Sequence, residues 1–459
     1  MTRSSQSFTL SRFVPCLLFN ALIVEYQFPC VSGLPVVHSF SKPPKQRTFS
    51  SCTTTLVAPK SHRIQRVLLG WVEKDGEWEW EEDDPTFVPP STAASTSTAT
   101  IEIDNIATPQ LPKGKFRPKQ SLGQNYLNDP NTVTKMIKAF HNDATHNGEK
   151  DDSQLTKIVE LGPGTGALTD QLVATYGQDI LQCIEIDPRA IEVLHERYPN
   201  LRVYHEDVLQ IDYPELARMG SRNSDERTDG VETEPLVVIG NLPYYITSQI
   251  LFALADASHT GSIDTATVTM QWEVAQRMVA PTSCKDYGIL SVVFQTYADV
   301  KCHFKIPNTV FYPKPKVDSA LVGLKFLGPT KLSRRLAGVN PINFKNVVTT
   351  AFRQRRKTIR NSLKKLAGIT VEQLDSPPLP LPQSIQDIID SEGKSESEYD
   401  ENDIAFAKNQ QLPNDWTKKR PEELTPGQFV EVTRLLFGDD GSSTTQWNSK
   451  VWRKLKHGT

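Results

Sequence analysis

A short apolar strand that runs directly into a glycine-rich turn is the feature of this 459-residue chain that most constrains its fold. Residues 157–166 read Lys-Ile-Val-Glu-Leu-Gly-Pro-Gly-Thr-Gly, and residues 167–176 have a helical pattern. Gly162, Gly164 and Gly166 allow the backbone to turn tightly and to approach a ligand closely. This order of elements predicts an α/β domain with an open, Rossmann-like sheet that binds its ligand at the carboxyl ends of the strands.

Acidic residues stand at the ends of the next two apolar strands. Glu185 ends the strand within residues 180–186, about 20 positions past the glycine turn, where Rossmann-like folds place the acid that binds ribose hydroxyls. Asp207 follows a third strand, residues 201–204, and is placed to accept a hydrogen bond from an adenine amine. Either acid alone is more often a solvated loop carboxylate, but their spacing on successive strand ends predicts one adenosine-binding site.

The glycine turn also argues against ligands that carry phosphates. It lacks the Lys-Ser/Thr pair of a phosphate-binding loop, and its Gly-x-Gly-x-Gly pattern differs from the dinucleotide fingerprint Gly-x-Gly-x-x-Gly. S-adenosylmethionine has an adenine, a ribose diol and an amino-acid tail but no phosphate. We therefore expect S-adenosylmethionine as the cofactor.

A fourth apolar strand, residues 236–240, ends at Asn241-Leu242-Pro243-Tyr244. The Asn241 side-chain oxygen and the backbone carbonyl of Leu242 or Pro243 can accept hydrogen bonds from an exocyclic amine, and Tyr244 can stack on the ring that bears it. Asn and Pro are also common in ordinary strand-to-helix turns. If the turn binds an amine, catalysis consists of positioning an extruded base and needs no covalent intermediate.

Several motifs in order resemble the ribosomal RNA adenine dimethyltransferase family of the kasugamycin-resistance type. They include Gly-Gln-Asn-Tyr-Leu at 123–127, Glu-Leu-Gly-Pro-Gly-Thr-Gly at 160–166, Gly-Asn-Leu-Pro-Tyr at 240–244 and Phe-Tyr-Pro-Lys-Pro-Lys-Val-Asp-Ser at 311–319. The resemblance covers about residues 113–437, with two interruptions. Tyr126 stands where relatives usually have Phe, which keeps an aromatic ring.

The resemblance implies a class I S-adenosylmethionine-dependent methyltransferase domain followed by a small all-helical domain. The implied reaction is dimethylation of the N6 amines of two adjacent adenines near the 3′ end of small-subunit ribosomal RNA, with a role in ribosome biogenesis. The expected cofactor-binding residues are Asn125, Leu127, Gly162, Gly164, Glu185, Asp207 and Asn241. The expected catalytic residues are Asn241, Leu242, Pro243, Tyr244 and Phe311.

A basic segment near the carboxyl end predicts an RNA-binding surface. Residues 345–365 contain eight Lys and Arg and no acid, and their apolar positions predict one helix with a buried stripe. The expected RNA contacts are Lys314, Lys316, Arg353, Arg355, Arg356, Lys357 and Arg360. A solvated basic helix is the alternative. The net charge of −3 does not argue against RNA, because acids concentrate in 73–84 and 387–403.

We predict a leader and disordered linker in 1–110, the catalytic domain in 111–328, the helical RNA-binding domain in 331–437 and a tail in 438–459. A disordered insertion is expected in about 375–414, and an exposed loop in 219–234. The leader combines a short apolar run, residues 13–24, with a Ser/Thr- and Lys/Arg-bearing stretch. It resembles a bipartite plastid leader, with mitochondrial import as the alternative.

The six cysteines, at positions 16, 30, 52, 183, 284 and 302, show no metal-ligand spacing. We expect no metal, no stable membrane association, and a monomer that acts on the small ribosomal subunit or its RNA. Two other functions remain open: a non-catalytic RNA- or DNA-binding factor, as in the related mitochondrial transcription factors, and a DNA adenine methylase. A retired enzyme need not keep Gly162, Glu185, Asp207, Asn241 and Tyr244 together. Leu242 and the helical domain favour the RNA family over the DNA enzymes.

Overall fold

The computed structural model of the protein describes residues 71–74, 77–80, 117–146, 148–151, 155, 157–219, 234–366, 368–393 and 399–438. The predicted targeting segment, most of the linker after it, nearly all of the predicted loop at 219–234 and the tail after 438 lie outside these residues. Within the described residues, no helix combines the length and apolar character needed to cross a bilayer.

The strands are β1 (Trp71–Lys74), β2 (Glu77–Trp80), β3 (Tyr126–Leu127), β4 (Ile158–Leu161), β5 (Leu181–Glu185), β6 (Arg202–His205), β7 (Leu236–Asn241), β8 (Ile263–Gln271), β9 (Ala298–Ile306), β10 (Phe311–Tyr312) and β11 (Ser319–Phe326). The helices are α1 (Pro130–Ala144), α2 (Thr169–Tyr176), α3 (Pro188–Arg197), α4 (Tyr213–Arg218), α5 (Thr247–Ser258), α6 (Trp272–Val279), α7 (Ile289–Tyr297), α8 (Gly328–Arg335), α9 (Pro341–Arg353), α10 (Ile359–Leu363), α11 (Val371–Asp375), α12 (Gln383–Asp390), α13 (Glu401–Lys408) and α14 (Pro426–Phe437). Short 3-10 turns span Gln120–Leu122, Asn308–Val310, Trp416–Lys418 and Pro421–Glu423.

A seven-stranded sheet with the order β6-β5-β4-β7-β8-β11-β9 forms the centre of the catalytic part. Strands β4 to β8 run parallel, whereas β11 runs antiparallel to both β8 and β9. The chain moves outward from β4 to β6 and then crosses back to place β7 on the other side of β4. Open α/β sheets bind ligands at such a switch point, at the carboxyl ends of the strands.

Apolar side chains on both faces of the central strands explain why this sheet is buried. All of β4 is buried, and alternate residues point to opposite faces, so Ile158 and Val159 belong to two different hydrophobic clusters. Helices α1 and α2 cover the face that includes Ile158. The other face packs against α5 to α7, and its cluster continues into the helices after residue 328. The catalytic and helical parts therefore share one continuous core.

The basic segment is two helices rather than the single helix predicted. Helix α9 ends at Arg353, Gln354 leaves helical geometry with φ −124° and ψ 49°, and α10 begins at Ile359. The Ile359 N–H donates to the Lys419 carbonyl, 2.8 Å away, instead of to a preceding turn. The predicted stripe is nevertheless buried. It consists of Val347, Val348, Ala351, Phe352, Ile359, Leu363 and Leu366.

The prediction of disorder in 375–414 is wrong for two described segments, which form α12 and α13. Ile385 and Ile388 are 1% and 5% exposed, and Ala407 is 1% exposed, so each helix contributes apolar surface to the main core. The Asp400 side chain caps α13 by accepting from the Asp403 N–H at 2.8 Å. The acid-rich composition concealed these few apolar positions.

The predicted disordered linker also contains structure, because β1 and β2 pair as an antiparallel hairpin. Trp71 is paired with Trp80, and Glu73 with Trp78. The sequence between the strands is Asp-Gly, a pair of residues that favours a two-residue hairpin connection.

Candidate active site

A cavity of about 220 Å³ lies at the carboxyl ends of β4, β5 and β7, at the switch point of the sheet. Every predicted cofactor-binding residue lines it, and so does most of the predicted catalytic set. These lining residues are Asn125, Leu127, Gly162, Gly164, Glu185, Asp207, Asn241, Leu242, Pro243 and Tyr244.

The glycine turn forms one wall of the cavity, and two of its glycines are required for different reasons. Gly162 has φ +65°, and apart from its chain neighbours no described atom lies within 4 Å of the position that a Cβ would take. Gly164 has φ +56°, and a Cβ there would lie 2.8 Å from Cε1 of Tyr126. Gly164 therefore makes room for an aromatic ring of the protein, whereas Gly162 leaves space open.

Glu185 is buried at the end of β5, and backbone N–H groups hold its carboxylate in place. Oε2 accepts from Gly164 at 2.9 Å, while Oε1 accepts from Ile186 at 2.9 Å and from Asp187 at 2.8 Å. Burial raises the pKa of the Glu185 carboxyl above its usual value. Since a carboxylate offers about four acceptor sites, these three bonds leave capacity for a further donor such as a ribose hydroxyl.

Asp207 follows β6 and is half-buried at the rim of the cavity. Its Oδ1 accepts a hydrogen bond of 2.9 Å from the Leu209 N–H, which orients the carboxylate. No described residue forms a hydrogen bond with Oδ2, so this oxygen can accept from a ligand amine.

The Asn241 amide is fixed at both ends. Nδ2 donates to the Asn125 carbonyl at 2.8 Å, and Oδ1 accepts from the Thr269 hydroxyl at 2.7 Å. An amide oxygen has two lone pairs, so one of them stays available at Oδ1. The acceptor predicted for a target amine is therefore present, in a defined orientation.

The hydrogen bonds in the structure distinguish the two backbone carbonyls, of Leu242 and Pro243, that the sequence left as alternative acceptors. The Pro243 carbonyl accepts from the Ile246 N–H at 3.2 Å and from the Thr247 hydroxyl at 3.0 Å. No described residue donates to the Leu242 carbonyl. The Pro243 carbonyl therefore already uses its two lone pairs at the start of α5, whereas the Leu242 carbonyl keeps its acceptor capacity among the described residues.

Tyr244 lines the cavity as predicted, and its hydroxyl lies 2.5 Å from Ser319 Oγ in β11. Burial raises the pKa of Tyr244, so its phenol stays neutral at ordinary pH. Phe311 is 4% exposed and is paired with Leu127 between β10 and β3, and it does not line the cavity. Its contact with a target base stays a prediction.

The segment before β3 is bound to the cavity wall through Asp187, to which the sequence analysis assigned no role. Gln124 Nε2 donates to Asp187 Oδ2 at 3.0 Å, and Lys119 Nζ lies 3.5 Å from Oδ1. The hydrogen bonds from the Arg189 side chain hold the pKa of Asp187 well below its usual range. Asp187 therefore anchors the segment before β3, which includes Asn125.

The cavity has an acidic lining. The described residues around it include three carboxylic acids, Glu160, Glu185 and Asp207, and no Lys or Arg. Glu160 is fully buried beneath the glycine turn and accepts from the Thr169 hydroxyl at 2.7 Å, and burial raises its pKa to about 8. Glu160 is therefore mostly protonated at neutral pH, and it is Glu185 and Asp207, with no Lys or Arg among the described lining residues, that disfavour phosphate groups and suit a neutral or cationic ligand.

The predicted RNA-binding residues divide into two groups. Arg355 pairs with Glu422 at 2.5 Å and also donates to the Cys284 carbonyl of the catalytic part, and Arg360 bonds to Asp375 at 2.7 Å, so both side chains already have partners within the protein. The remaining cations are exposed. They are Lys314, Lys316, Arg353, Arg356 and Lys357.

One buried contact was missed by the sequence reasoning altogether. Thr269, in β8, donates to Asn241 Oδ1 and accepts from the Leu242 N–H at 3.1 Å. No local motif marks Thr269, since the contact arises from the pairing of Asn241 with Thr269 across two parallel strands.

Together, the strand order and the acidic cavity at the switch point define the protein as a class I methyltransferase by fold. A family model described as "Ribosomal RNA adenine dimethylase" matches residues 115–376. The chain belongs to this family, which confirms the resemblance drawn from the motifs.

Curated relatives agree with the family assignment. Ribosomal RNA small subunit methyltransferase A of Salinibacter ruber is 38% identical over 321 residues, which cover 70% of this chain and 86% of that protein. The protein of the same name from Enterococcus faecalis is 36% identical over 281 residues, covering 58% and 84%. Among solved structures, a dimethyladenosine transferase from Plasmodium falciparum aligns at 23% identity with a TM-score of 0.44, covering 67% of this chain and 95% of that one.

Proposed function

We propose that this protein uses S-adenosylmethionine to dimethylate the N6 amines of two adjacent adenines near the 3′ end of small-subunit ribosomal RNA, as a step of ribosome biogenesis. The observation that carries the proposal is the turn after β7. There, Asn241 Oδ1 and the Leu242 carbonyl are two acceptors on the same cavity as Gly162, Glu185 and Asp207. The relatives named small subunit methyltransferase A support the choice of RNA.

The residues of the cavity fit S-adenosylmethionine. Glu185 and Asp207 provide acceptors for ribose hydroxyls and an adenine amine, and the space beside Gly162 lets the ligand approach the backbone. An acidic lining without Lys or Arg, among the described residues, matches a ligand that carries a sulfonium and no phosphate. The chemistry that S-adenosylmethionine supplies when bound is an electrophilic methyl group on that sulfonium.

The protein's own contribution to methyl transfer is positioning of the adenine amine. The amine nitrogen is a weak nucleophile because its lone pair is delocalised into the ring. In the first transfer, hydrogen bonds from its two N–H groups to Asn241 Oδ1 and the Leu242 carbonyl favour a pyramidal nitrogen whose lone pair is localised. Each transfer replaces one N–H by N–CH3 and releases one proton, so the singly methylated amine keeps one N–H and one of these bonds in the second transfer. Tyr244 holds the extruded base by stacking, as enzymes that act on single bases do.

The exposed cations among the predicted RNA-binding residues are available to contact the phosphates of the RNA backbone. Lys314 and Lys316 precede β11, and Arg353, Arg356 and Lys357 lie at the turn between α9 and α10. Contacts of this kind supply affinity and orientation without reading sequence. The choice of adenines therefore depends on how the RNA is folded in the small subunit.

The test uses the full chain, S-adenosylmethionine and small ribosomal subunits from a bacterium that lacks its own enzyme of this family. Digested RNA is analysed for methylated nucleosides by mass spectrometry. We expect N6,N6-dimethyladenosine with the wild type and with Asn200→Ala, an exposed position at the amino end of β6. Asn241→Ala should abolish the product while cofactor and RNA binding persist at least in part.

Two results would contradict parts of the proposal. Monomethyladenosine as the final product would refute dimethylation. No methylated adenine, despite binding to the subunit, would favour a non-catalytic RNA- or DNA-binding factor of the same fold.

We further propose that the protein is a monomer imported into a plastid. The support for import is the composition of residues 1–110, which lie almost entirely outside the described part of the chain. Residues 1–110 fused to a fluorescent protein should enter the plastid of an alga with secondary plastids, and mitochondrial fluorescence would favour the alternative. Light scattering of the purified chain tests the monomer.

A further inference from the structure

A single buried hydroxyl contacts both residues that provide acceptors for the target amine. Thr269 is 0% exposed, and its Oγ1 lies 2.7 Å from Asn241 Oδ1 and 3.1 Å from the Leu242 nitrogen. A backbone N–H can only donate, so the hydroxyl oxygen accepts from Leu242. The one hydroxyl proton is then directed at Asn241 Oδ1.

These two bonds determine how the Asn241 amide faces the cavity. With Oδ1 held by Thr269 and Nδ2 held by the Asn125 carbonyl, a flipped amide would set its oxygen against a carbonyl oxygen. The Thr269 bond to the Leu242 N–H also holds the peptide that precedes the Leu242 carbonyl. The positions of both acceptors therefore depend on one side chain of the neighbouring strand.

We infer that Thr269 is a positioning residue for methyl transfer, whose hydroxyl sets the geometry in which Asn241 and Leu242 accept the two N–H groups of the target amine. The inference rests on the proposed function. Thr269 itself does not line the cavity, so it acts through Asn241 and Leu242 rather than by contact with either substrate.

Valine at position 269 has nearly the shape of threonine but neither donates nor accepts a hydrogen bond. The substitution would leave Asn241 Oδ1 without its donor and the buried Leu242 N–H without its acceptor. Serine keeps the hydroxyl and loses only a methyl group. The pair of variants therefore separates the hydrogen bonds from the packing.

The same strand offers a matched control. Thr265 is also 0% exposed and, four positions earlier, lies on the same face of β8. Its hydroxyl has no hydrogen-bond partner among the described residues. Thr265→Val is thus the same chemical change in the same strand without the link to Asn241 and Leu242.

The experiment measures single-turnover methylation of unmethylated small subunits by the full chain, over a range of S-adenosylmethionine and subunit concentrations. Displacement of reacting groups by about 1 Å can lower a rate by about 100-fold, and we expect Thr269→Val to lower the maximal rate at least about tenfold. The half-saturating concentrations of both substrates should stay within about twofold, because neither ligand contacts Thr269. Thr269→Ser should recover most of the rate, and Thr265→Val should match the wild type.

An unchanged rate in Thr269→Val would overturn the inference while leaving the proposed function intact, and so would an equal loss in Thr265→Val. Failure of Thr269→Ser to recover the rate would also overturn it, since packing rather than the hydroxyl would then be responsible. A wild-type chain that methylates no adenine would instead refute the proposed function, and the inference with it.

Discussion

Replacing Gly162 by alanine separates two reasons for having glycine at the turn: backbone conformation and access for a ligand. Gly162 has φ +65°, a conformation that costs an L-residue about 1–2 kcal/mol. Gly328, at the start of α8, has φ +67° and likewise has no described atom within 4 Å of a Cβ position, apart from its chain neighbours. Alanine at either site should therefore lower the melting temperature by a similar amount, about 2–8 °C.

Gly162 lines the cavity and Gly328 does not, so of these two variants only Gly162→Ala adds a methyl group to the space expected to receive the cofactor. An extra methyl group in a packed contact costs about 1–3 kcal/mol. That range corresponds to an increase of about 5- to 150-fold in the Kd for S-adenosylmethionine. Gly328→Ala should leave this Kd within about twofold of the wild type, because the change is remote from the site.

Isothermal titration calorimetry of the full-length variants with S-adenosylmethionine gives the Kd values. Thermal melts of the same samples give the loss of melting temperature caused by the strained backbone. Equal Kd values for wild type and Gly162→Ala, alongside equal melting shifts for the two variants, would refute the reasoning. The open space beside Gly162 would then not be where the ligand approaches the backbone.

Three further sets of substitutions test different parts of the molecule. Tyr244→Phe loses only the hydroxyl bonded to Ser319 and should keep the methylation rate within about fivefold of the wild type. Tyr244→Ala removes the stacking surface and should lower the rate about 5- to 150-fold. Equal losses of rate in the two variants would contradict stacking. Because burial raises the pKa of Glu160 to about 8, the folded state keeps a proton that the unfolded chain releases at lower pH, so wild-type stability falls as the pH rises toward 8. The melting temperature of Glu160→Gln minus that of the wild type should therefore increase as the pH rises toward 8. A difference that stays constant with pH would contradict the raised pKa of Glu160. Lys357→Ala should weaken RNA binding and reduce the slope of log affinity against log salt concentration by about 1. Arg355→Ala breaks an ion pair within the protein and should lower the melting temperature. An unchanged salt slope in Lys357→Ala would exclude a phosphate contact at this residue.

Most of the cavity could be predicted from the sequence because its residues follow apolar strands directly. Parallel strands bring their carboxyl ends to one edge of a sheet, so Gly162, Glu185, Asp207 and Asn241 had to converge once four such strands were recognised. The contacts of Thr269, and the choice between the Leu242 and Pro243 carbonyls, could not be predicted in the same way. They depend on strand register and on which acceptors the start of α5 already uses.

The helical part was predicted less well because pairing between distant residues is invisible in local composition. No acid occurs in 345–365, yet Arg355 and Arg360 find acidic partners at Glu422 and Asp375. Similarly, the acids and prolines of 375–414 predict disorder on average, whereas a few apolar side chains such as Ile385 are sufficient to attach a helix to the core.

The distribution of charge determines how RNA can enter such a site. Glu185 and Asp207 line a cavity in which no described residue is Lys or Arg, so a phosphate entering it would meet carboxylates without a compensating cation. The exposed cations lie elsewhere, before β11 and between α9 and α10. Since salt screens exposed charges beyond about 8 Å, these local groups matter more than the net charge of −3. In the proposed bound state the RNA backbone therefore stays at these exposed cations, and only the uncharged base passes into the acidic cavity toward Asn241 and Leu242.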